Sequence, residues 1–392
     1  MKKSRVLLLM FAGLTPAIGA KGIEVQDPAS LGTQELEARV KERGRALVVS
    51  LESDSTRPEE LREPAGKLAD DARALAERHR RDLSARVDAL KGWLADRSEC
   101  PMTDLREAPV VLFSETAEKD VLRCWTAQLR NLGKAIRGLI DEDPAVVREW
   151  LYWQDREGPR KEGQPFFRAE QIRDCAREVL KLTDLLRLPR KIIRVRRARP
   201  LFEDAPADGS GSWKAYGAGE VSIKNGLLRV KGEGVSVWCE KDFEDAVVSL
   251  DFSPLAGEGG ALFAFPGSPK PGKGYEVSSG AMENYNRGID TYHVSLCRGK
   301  SGRSNLRRTG AGLKMLSSIE PDPCSTLGKT YRVDILVHQA TVQVHVDGRL
   351  IHSYFDAGCY GAPLRKGRFG VRHFSGDPLE CEYAKFRVDA LE

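Results

Sequence analysis

The spacing of apolar residues changes near residue 201, and this change constrains the fold more than any other feature. Before it, apolar residues recur every three or four positions, as at Leu83, Val87 and Leu90, which is the spacing of an amphipathic helix. After it, short alternating runs such as Val247–Phe252 and Thr341–Val346 are separated by turn residues. Such alternation is typical of strands with one buried face. The sequence therefore predicts an α+β multidomain chain, helical first and all-β afterwards.

Four segments follow from this division. We predict a signal peptide at 1–20, a helical domain at 21–187, a basic linker at 188–200 and a β-sandwich at 201–392. Short loops favour an antiparallel bundle or long hairpin for the helices. The basic segment is interpreted as a connector or a charged edge strand, with a patch for an anionic polymer as the alternative. Asp347-Gly348, between two alternating runs, predicts a tight hairpin.

The first twenty residues have the pattern of an export signal. Lys2, Lys3 and Arg5 precede the apolar run 6–12, and small residues at 17–20 suit cleavage. A membrane anchor is the alternative, but the apolar run is short for a span of about 20 residues. We expect a secreted or periplasmic protein with no membrane contact after cleavage.

Export would allow the eight cysteines to form disulfides, because disulfides persist outside the cytosol. Cys100 with Cys124, and Cys297 with Cys324, would close local loops, although the full connectivity stays open. The chain has neither a CxxC pair nor an HxxxH pair, so we predict no metal site, and no cofactor motif appears.

The net charge of +5 contains three positive residues of the first segment. The remaining excess is too small to predict nucleic acid as a partner. Any basic site must therefore be local.

Residues 275–310 combine a short alternating strand with many polar and basic side chains. His293 and Ser295 share one face of this strand. Side chains that donate or accept hydrogen bonds surround them, and a polysaccharide or oligosaccharide, neutral or acidic, is the ligand class that such groups suit. The predicted ligand-binding residues are Glu283, His293, Ser295, Arg298, Asn305, Arg307, Trp238 and Arg372.

Four segments in order, among them LFEDAPADGSGSWKAYGAGEVSIKNGLLRV, VWCEKDFEDAVVSLDFSP and DTYHVSLCRGKSGRSNLRRTG, resemble the concanavalin A-like (jelly-roll) superfamily, and within it the YesU-like family. The resemblance covers about residues 200–392. It implies two curved antiparallel sheets with a ligand on the concave face. It carries His293, Ser295, Asn305 and Arg307 as matching positions without giving their roles. The closing segment suggests that Asp356 pairs with Arg372.

Two catalytic patterns are relevant to this sequence, that of a retaining glycosidase and that of a polysaccharide lyase. Retaining glycosidases of this superfamily use an ExDxxE strand, and the nearest match, Glu240 to Ala246, lacks the last acid and is better explained as a solvated turn. A lyase for acidic sugars would use His293, Tyr292 and Arg307 as candidate catalytic groups. Tyr292 faces away from His293 in an ideal strand, so a tyrosine from elsewhere, such as Tyr275, Tyr285 or Tyr360, would have to replace one of them.

Three functions remain open. The first is an exported carbohydrate-binding or carbohydrate-processing protein that uses the concave face of the sandwich. The second is a polysaccharide lyase or other glycan-active enzyme. The third is a non-catalytic interaction protein whose helical domain binds a protein partner.

Overall fold

The computed structural model describes residues 28, 31–52, 58–81, 105, 108–140, 143, 146, 166–187, 191–204, 212–299, 302–310, 313–374 and 378–392. The predicted signal peptide, Cys100 and its predicted disulfide lie outside these residues. Among the described residues, no helix is both long and apolar enough to cross a bilayer.

Within its described residues, the N-terminal part has four long helices: α1 (Thr33–Glu52), α2 (Arg62–Arg81), α3 (Glu118–Ile140) and α4 (Phe166–Arg187). A short 3-10 turn, Pro58–Leu61, precedes α2. The predicted helical spacing is clearest in α3, where Val121, Trp125, Leu129 and Ile136 are all buried. Their period of three to four residues places them on one side of the helix, against the other three helices.

The strand β1 (Val110–Phe113) pairs in parallel with β2 (Ile192–Val195). The next strand, β3 (Arg197–Asp204), pairs antiparallel with the last strand of the chain, Leu379–Leu391. Residues 192–200, expected to act as a linker, therefore form strand structure. Basic residues such as Arg194 and Arg196 are exposed, whereas the intervening Val195 is buried. This alternation agrees with the interpretation as a charged edge strand.

Two antiparallel sheets form the C-terminal part. The strands of the seven-stranded sheet are β4 (Trp213–Tyr216), β7 (Ser236–Glu244), β9 (Ala261–Pro269), β10 (Ile289–Leu296), β11 (Ser304–Arg308), β12 (Lys314–Ile319) and β16 (Lys366–His373). They lie in the order β12-β11-β10-β9-β16-β7-β4.

The eight-stranded antiparallel arrangement opposite it has the order β15-β14-β13-β8-β17-β6-β5, with β3 also paired to β17. Its other strands are β5 (Glu220–Lys224), β6 (Leu227–Gly232), β8 (Ala246–Gly257), β13 (Tyr331–His338), β14 (Thr341–Val346), β15 (Arg349–Phe355) and β17 (Leu379–Leu391). Asp347 and Gly348, both at positive φ, make the tight turn between β14 and β15, so that hairpin prediction is confirmed.

One core lies between the sheets, built from residues that alternate inward along the strands. The outer face of the eight-stranded sheet is covered by the N-terminal part. Gln343 Nε2 donates to the Val111 carbonyl at 2.7 Å, and Gln128 Nε2 donates to the Ser353 carbonyl at 2.8 Å. The predicted order, a helical part followed by an all-β jelly-roll sandwich, is confirmed. The outer face of the seven-stranded sheet is the opposite side of this sandwich.

Candidate functional site

The predicted site residues meet on the outer face of the seven-stranded sheet, which we call the site face. His293 lies opposite Arg307, and Ser295 lies opposite Asn305, in the antiparallel pair β10–β11. The register across β9 and β16 brings Arg372 opposite Leu262, which itself faces Ser295. Directly opposed residues share a face of a sheet. The grouping of His293, Ser295, Asn305, Arg307 and Arg372 thus follows from strand register.

Tyr292 points the other way, into the core between the sheets. Its hydroxyl donates to Asp356, and the Leu364 amide donates to that hydroxyl at 3.0 Å. Burial, reinforced by the negative charge of Asp356, raises the Tyr292 pKa well above its usual value. Tyr292 therefore cannot act on a ligand beside His293, and this candidate role is wrong.

Asp356 does not pair with Arg372 as the resemblance suggested. The Arg308 Nη1 atom donates to Asp356 Oδ2 at 2.6 Å, and both side chains are buried. A register shift between Leu306 and Arg307 accompanies this arrangement. Arg307 and Arg308 are neighbours in the strand and point to opposite faces of the sheet. Arg307 therefore lies on the site face, and Arg308 pairs with the buried carboxylate of Asp356.

A covering segment lies over part of the site face. It consists of a 3-10 turn, Tyr275–Ser278, and the short helix α5, Met282–Gly288. Arg372 holds it, donating to the carbonyls of Ser278 at 2.7 Å and Gly280 at 2.6 Å. Burial lowers the pKa of Arg372 to about 10, so the guanidinium still carries its charge at neutral pH.

Trp238 lies beneath this covering segment and is 1% exposed. Its Nε1 donates to Ser278 Oγ at 2.8 Å, and the Tyr275 ring lies 4.8 Å away between centroids. The neighbouring strands need glycine here, since a Cβ at Gly370 or Gly267 would lie 2.4 Å from the indole. Trp238 is thus a packed side chain in this structure, and the covering segment separates this predicted ligand-binding residue from solvent.

His293 is 1% exposed and lies at the centre of the site face. Its Nδ1 is 3.3 Å from the hydroxyl of Tyr285 on α5. Burial first, and then the charges of Arg307, Arg372 and Arg298, lower the His293 pKa well below its usual value. The imidazole is therefore neutral at neutral pH, with one donor and one acceptor nitrogen.

Three polar atoms on β10 and on α5, which lies over the site face, are buried without a hydrogen-bond partner among the described residues. They are Nε2 of His293 and both amide atoms of Asn286, the residue next to Tyr285 on α5. A buried polar group left unpaired costs about 1–3 kcal/mol of folding free energy. Such groups are unusual in folded proteins and mark a place where ligand atoms could complete the hydrogen bonds.

Two other predicted residues lie at the rim. Glu283 is partly exposed on α5 and pairs with Arg287 at 3.2 Å, so it does not join His293. Arg298 is half-buried, 5.5 Å from the Phe374 ring centroid, and is close enough to His293 to affect its pKa.

The acidic run that resembled a glycosidase pattern lies partly in β7, although a turn before the next strand was expected. Glu240, Asp242 and Glu244 are exposed, and Asp242 pairs with Arg368 at 3.6 Å. Among the described residues, no cluster of three or more His, Cys, Asp or Glu side chains is arranged to hold a metal ion.

Cys297 and Cys324 are buried free thiols. Burial raises the pKa of Cys297 to about 12. The structure therefore does not contain the predicted bridge between them.

Sequence reasoning missed α5 and with it Asn286. It named Tyr285 only as one of three tyrosines that could come from elsewhere. The helix is seven residues long and carries no apolar repeat over several turns, so periodicity could not identify it. The usable signal was the aromatic and amide pair Tyr285-Asn286 inside a polar stretch, directly before a buried strand.

Residues 203–388 match a family described as a domain of unknown function (DUF1961). Among proteins with curated functions, none matches this sequence. The match accounts for the sandwich and does not extend into the helices. The narrower YesU-like assignment stays a prediction.

Solved structures that are similar to this chain match about half of it. A Bacillus subtilis protein of unknown function with a galectin-like fold is 22% identical, with a TM-score of 0.45, over 50% of this chain and 98% of its own. The carbohydrate-binding module CBM66 from Bacillus subtilis is 11% identical, with a TM-score of 0.35, over 47% and 98%. A Bacillus licheniformis β-glucanase is 10% identical, with a TM-score of 0.34, over 48% and 97%.

Proposed function

We propose that the sandwich binds a glycan on the site face, with the sugar contacting His293, Asn286 and Arg307. The observation that carries this proposal is the set of buried polar atoms on His293 and Asn286 for which the described part of the chain supplies no hydrogen-bond partner. A sugar presents hydroxyls that both donate and accept, so it can satisfy a neutral imidazole and a primary amide together. A purely apolar ligand would leave these atoms unpaired.

Arg307 gives the proposed site a preference for acidic sugars. It is 4% exposed, faces His293 across the strand pair, and lowers the His293 pKa by its charge. A guanidinium can bind a carboxylate through two parallel hydrogen bonds. A uronic acid would therefore bind more tightly than its neutral counterpart.

Ligand entry requires the covering segment to move, because His293, Ser295, Asn305 and Arg372 are each at most 1% exposed. Arg372 donates hydrogen bonds to two carbonyl oxygens of this segment. Water can accept or replace such hydrogen bonds when the segment moves. Opening is thus the first step of the proposed binding reaction.

The test replaces Asn286 by Leu in the full chain. If Asn286 serves a ligand, its unpaired amide destabilises the free protein, and the variant should be more stable by about 1 kcal/mol in denaturant titrations. Binding to oligogalacturonate or neutral oligosaccharides, measured by calorimetry, should weaken by about tenfold.

The matched control is Asn284→Leu, an exposed position of the same helix, where binding should be unchanged. Loss of stability in Asn286→Leu together with undiminished binding would show a structural asparagine and sink the proposal.

A lyase is the second candidate, because Tyr285 supplies the phenol that Tyr292 does not. With Nδ1–H of His293 donating to the Tyr285 oxygen, Nε2 is free to accept the proton next to a uronate carboxylate. The electron pair left on that carbon forms the C=C bond as the C–O bond breaks, and the Tyr285 hydroxyl protonates the departing oxygen. Burial raises the Tyr285 pKa, so the phenol holds its proton until then.

Lyase activity would appear as ultraviolet-absorbing unsaturated ends released from polygalacturonate. Tyr285→Phe should reduce their release by about 100-fold while leaving binding intact. Tyr275→Phe is the control, since the Tyr275 hydroxyl donates to the Gly267 carbonyl at 2.8 Å instead. If the unaltered protein releases no such ends, the lyase candidate is excluded and binding alone remains.

Export completes the proposal, supported by the basic and apolar residues of the first segment. In an oxidising compartment we expect Cys297 and Cys324 to join, since the backbone amides of Arg298, next to Cys297, and of Cys324 both donate to the Asp322 carboxylate, each at 2.9 Å. Non-reducing peptide mapping of protein secreted by a host would detect the linked peptide. Recovery of both cysteines as free thiols from that material would contradict it.

A further inference from the structure

A groove of about 1140 Å³ lies between the helices and one edge of the sandwich. One wall is formed by α2 and α3, and the other by β12, the loop after it and β15. Neither part of the chain forms this groove alone. Its lining includes none of the residues assigned to the site face, so it is a separate feature of the molecule.

The groove is basic. Seven of its lining side chains are Lys or Arg, and two are Asp or Glu. Arg123, Arg130 and Arg137 recur every seven residues on α3, so the helix rise of about 1.5 Å per residue places neighbours about 10 Å apart. Arg303 and Arg349 bring positive charge from the opposite wall. Lys134 lies between Arg130 and Arg137 on the same helix, so the cations follow this wall at intervals of about 5–10 Å.

Carboxylates alternate with these cations. Asp120 pairs with Arg123 at 3.1 Å, and Glu77 pairs with Arg130 at 3.4 Å. A third carboxylate, Asp70, pairs with Arg137 at 2.5 Å. Seven cations against five carboxylates leave an excess of two positive charges.

Several donors in the groove have no partner among the described residues. Lys134 and Arg349 are exposed cations for which no ion pair is formed within that part of the chain. Thr126 is 3% exposed, and its Oγ1 atom is buried without a hydrogen bond. The Nε atoms of Arg130 and Arg137 are in the same situation. Buried donors of this kind are usually paired, which points to a ligand that supplies acceptors along the groove.

We propose that this groove binds a linear acidic polysaccharide through its carboxylate or sulfate groups. Arginine binds both anions with paired hydrogen bonds. The charge spacing separates this ligand from nucleic acid, which carries one phosphate about every 3.4 Å of strand. Phosphates at that density would lie against the carboxylates of the groove and be repelled by them. In an acidic polysaccharide, the hydroxyls between the anionic groups can instead donate hydrogen bonds to those carboxylates.

The test measures binding by calorimetry on the full chain at low salt. The probes are polygalacturonate, dextran sulfate, uncharged dextran and single-stranded DNA of similar length. The double variant Lys134→Ser/Arg349→Ser removes the two groove cations for which the described residues form no ion pair. We expect its affinity for polygalacturonate or dextran sulfate to fall by about tenfold, and uncharged dextran to show no groove-dependent binding.

The control Arg199→Ser/Lys224→Ser removes two exposed charges outside the groove and should change affinity by less than about twofold. An equal loss in this control would show a response to net charge only and would overturn the proposal. Tighter binding of DNA than of either acidic polysaccharide would also overturn it. Stronger binding of one acidic polysaccharide than the other identifies the preferred anion.

Thr126→Val provides a second readout without changing charge. Valine has the shape of threonine without its hydroxyl, so weaker polysaccharide binding with unchanged thermal stability supports the groove. Unchanged binding in both this variant and the double variant rejects it. These residues are independent of His293 and Asn286, so failure of the groove would leave the glycan proposal for the site face intact.

Discussion

At the scale of single residues, burial determines the charge of the histidines. His352 lies between two serine hydroxyls, with Nε2 at 3.0 Å from Ser304 Oγ and Nδ1 at 2.9 Å from Ser317 Oγ. Burial lowers its pKa to about 3. Burial likewise lowers the pKa values of His345 and His373 to about 4. These imidazoles are neutral in the folded protein over a range where the unfolded chain would protonate them.

Stability should therefore fall on acidification. Below pH about 6.5 the unfolded state binds more protons than the folded state at each of these histidines, so each lowers the free energy of unfolding by about 1 kcal/mol per pH unit until its folded pKa is reached. Urea titrations at pH 7 and pH 5 measure this loss. His352→Gln should make the dependence shallower, and an unaltered slope would contradict the assignment.

Asp356 is a second residue-scale determinant, because it holds the buried Arg308 and the Tyr292 hydroxyl together. Asp356→Ala leaves a buried guanidinium without its carboxylate, at a cost of about 3–5 kcal/mol. The exposed pair of Lys231 with Glu220, 3.5 Å apart, gives the control: Glu220→Gln should cost less than about 1 kcal/mol. Chemical denaturation compares the two, and similar losses would refute the difference.

At the scale of elements, the covering segment controls access to the site face. Met282, Tyr285 and Ile289 pack with Trp238 in a small apolar cluster of their own, separate from the main core. A segment packed in a cluster separate from the main core, and held by hydrogen bonds to Arg372, can open without global unfolding.

Arg372→Met should loosen this segment selectively. We expect amide hydrogen exchange in residues 275–289 to become about tenfold faster, with little change in strands of the main core. Arg365→Met, which alters an arginine exposed to solvent and paired with Asp245, serves as the comparison. Uniformly faster exchange across the sandwich would mean that Arg372 supports the whole sheet instead.

At the scale of the whole molecule, the helices and the sandwich share one interior. Leu350 and Ala357 of the sandwich belong to the apolar core of the helices. Lys314 Nζ lies 2.6 Å from Asp174 of α4, and the Tyr354 hydroxyl donates to Glu178 at 3.0 Å. The helical part thus packs on its own sandwich, and the predicted role in binding a protein partner stays a prediction.

This packing predicts cooperative unfolding of the full chain. Asp174→Ala, a change in a helix, should lower the unfolding temperature of the sandwich as well, because the pair with Lys314 is buried and its loss costs about 3 kcal/mol. Calorimetry should show one transition that shifts as a unit, and Asp242→Ala should shift it little. Two resolved transitions, only one of them shifted, would show that the parts unfold independently.

Local patterns in the sequence predicted the helices of the first part, the strands of the second and the Asp347-Gly348 hairpin. They also placed His293 and Ser295 on one face, since successive side chains of a strand alternate. These features depend on residues only a few positions apart, and over that distance the backbone geometry determines the direction in which each side chain points. A sequence read alone can therefore establish them.

Partners distant in the chain required the tertiary structure. Strand register placed Arg307 opposite His293 and turned Arg308 toward Asp356, and the docking of α5 brought Tyr285 to His293. The basic groove exists only because α3 lies against β12 and β15. Periodicity shows which way a side chain points from its own backbone, whereas the group it meets depends on how whole elements pack.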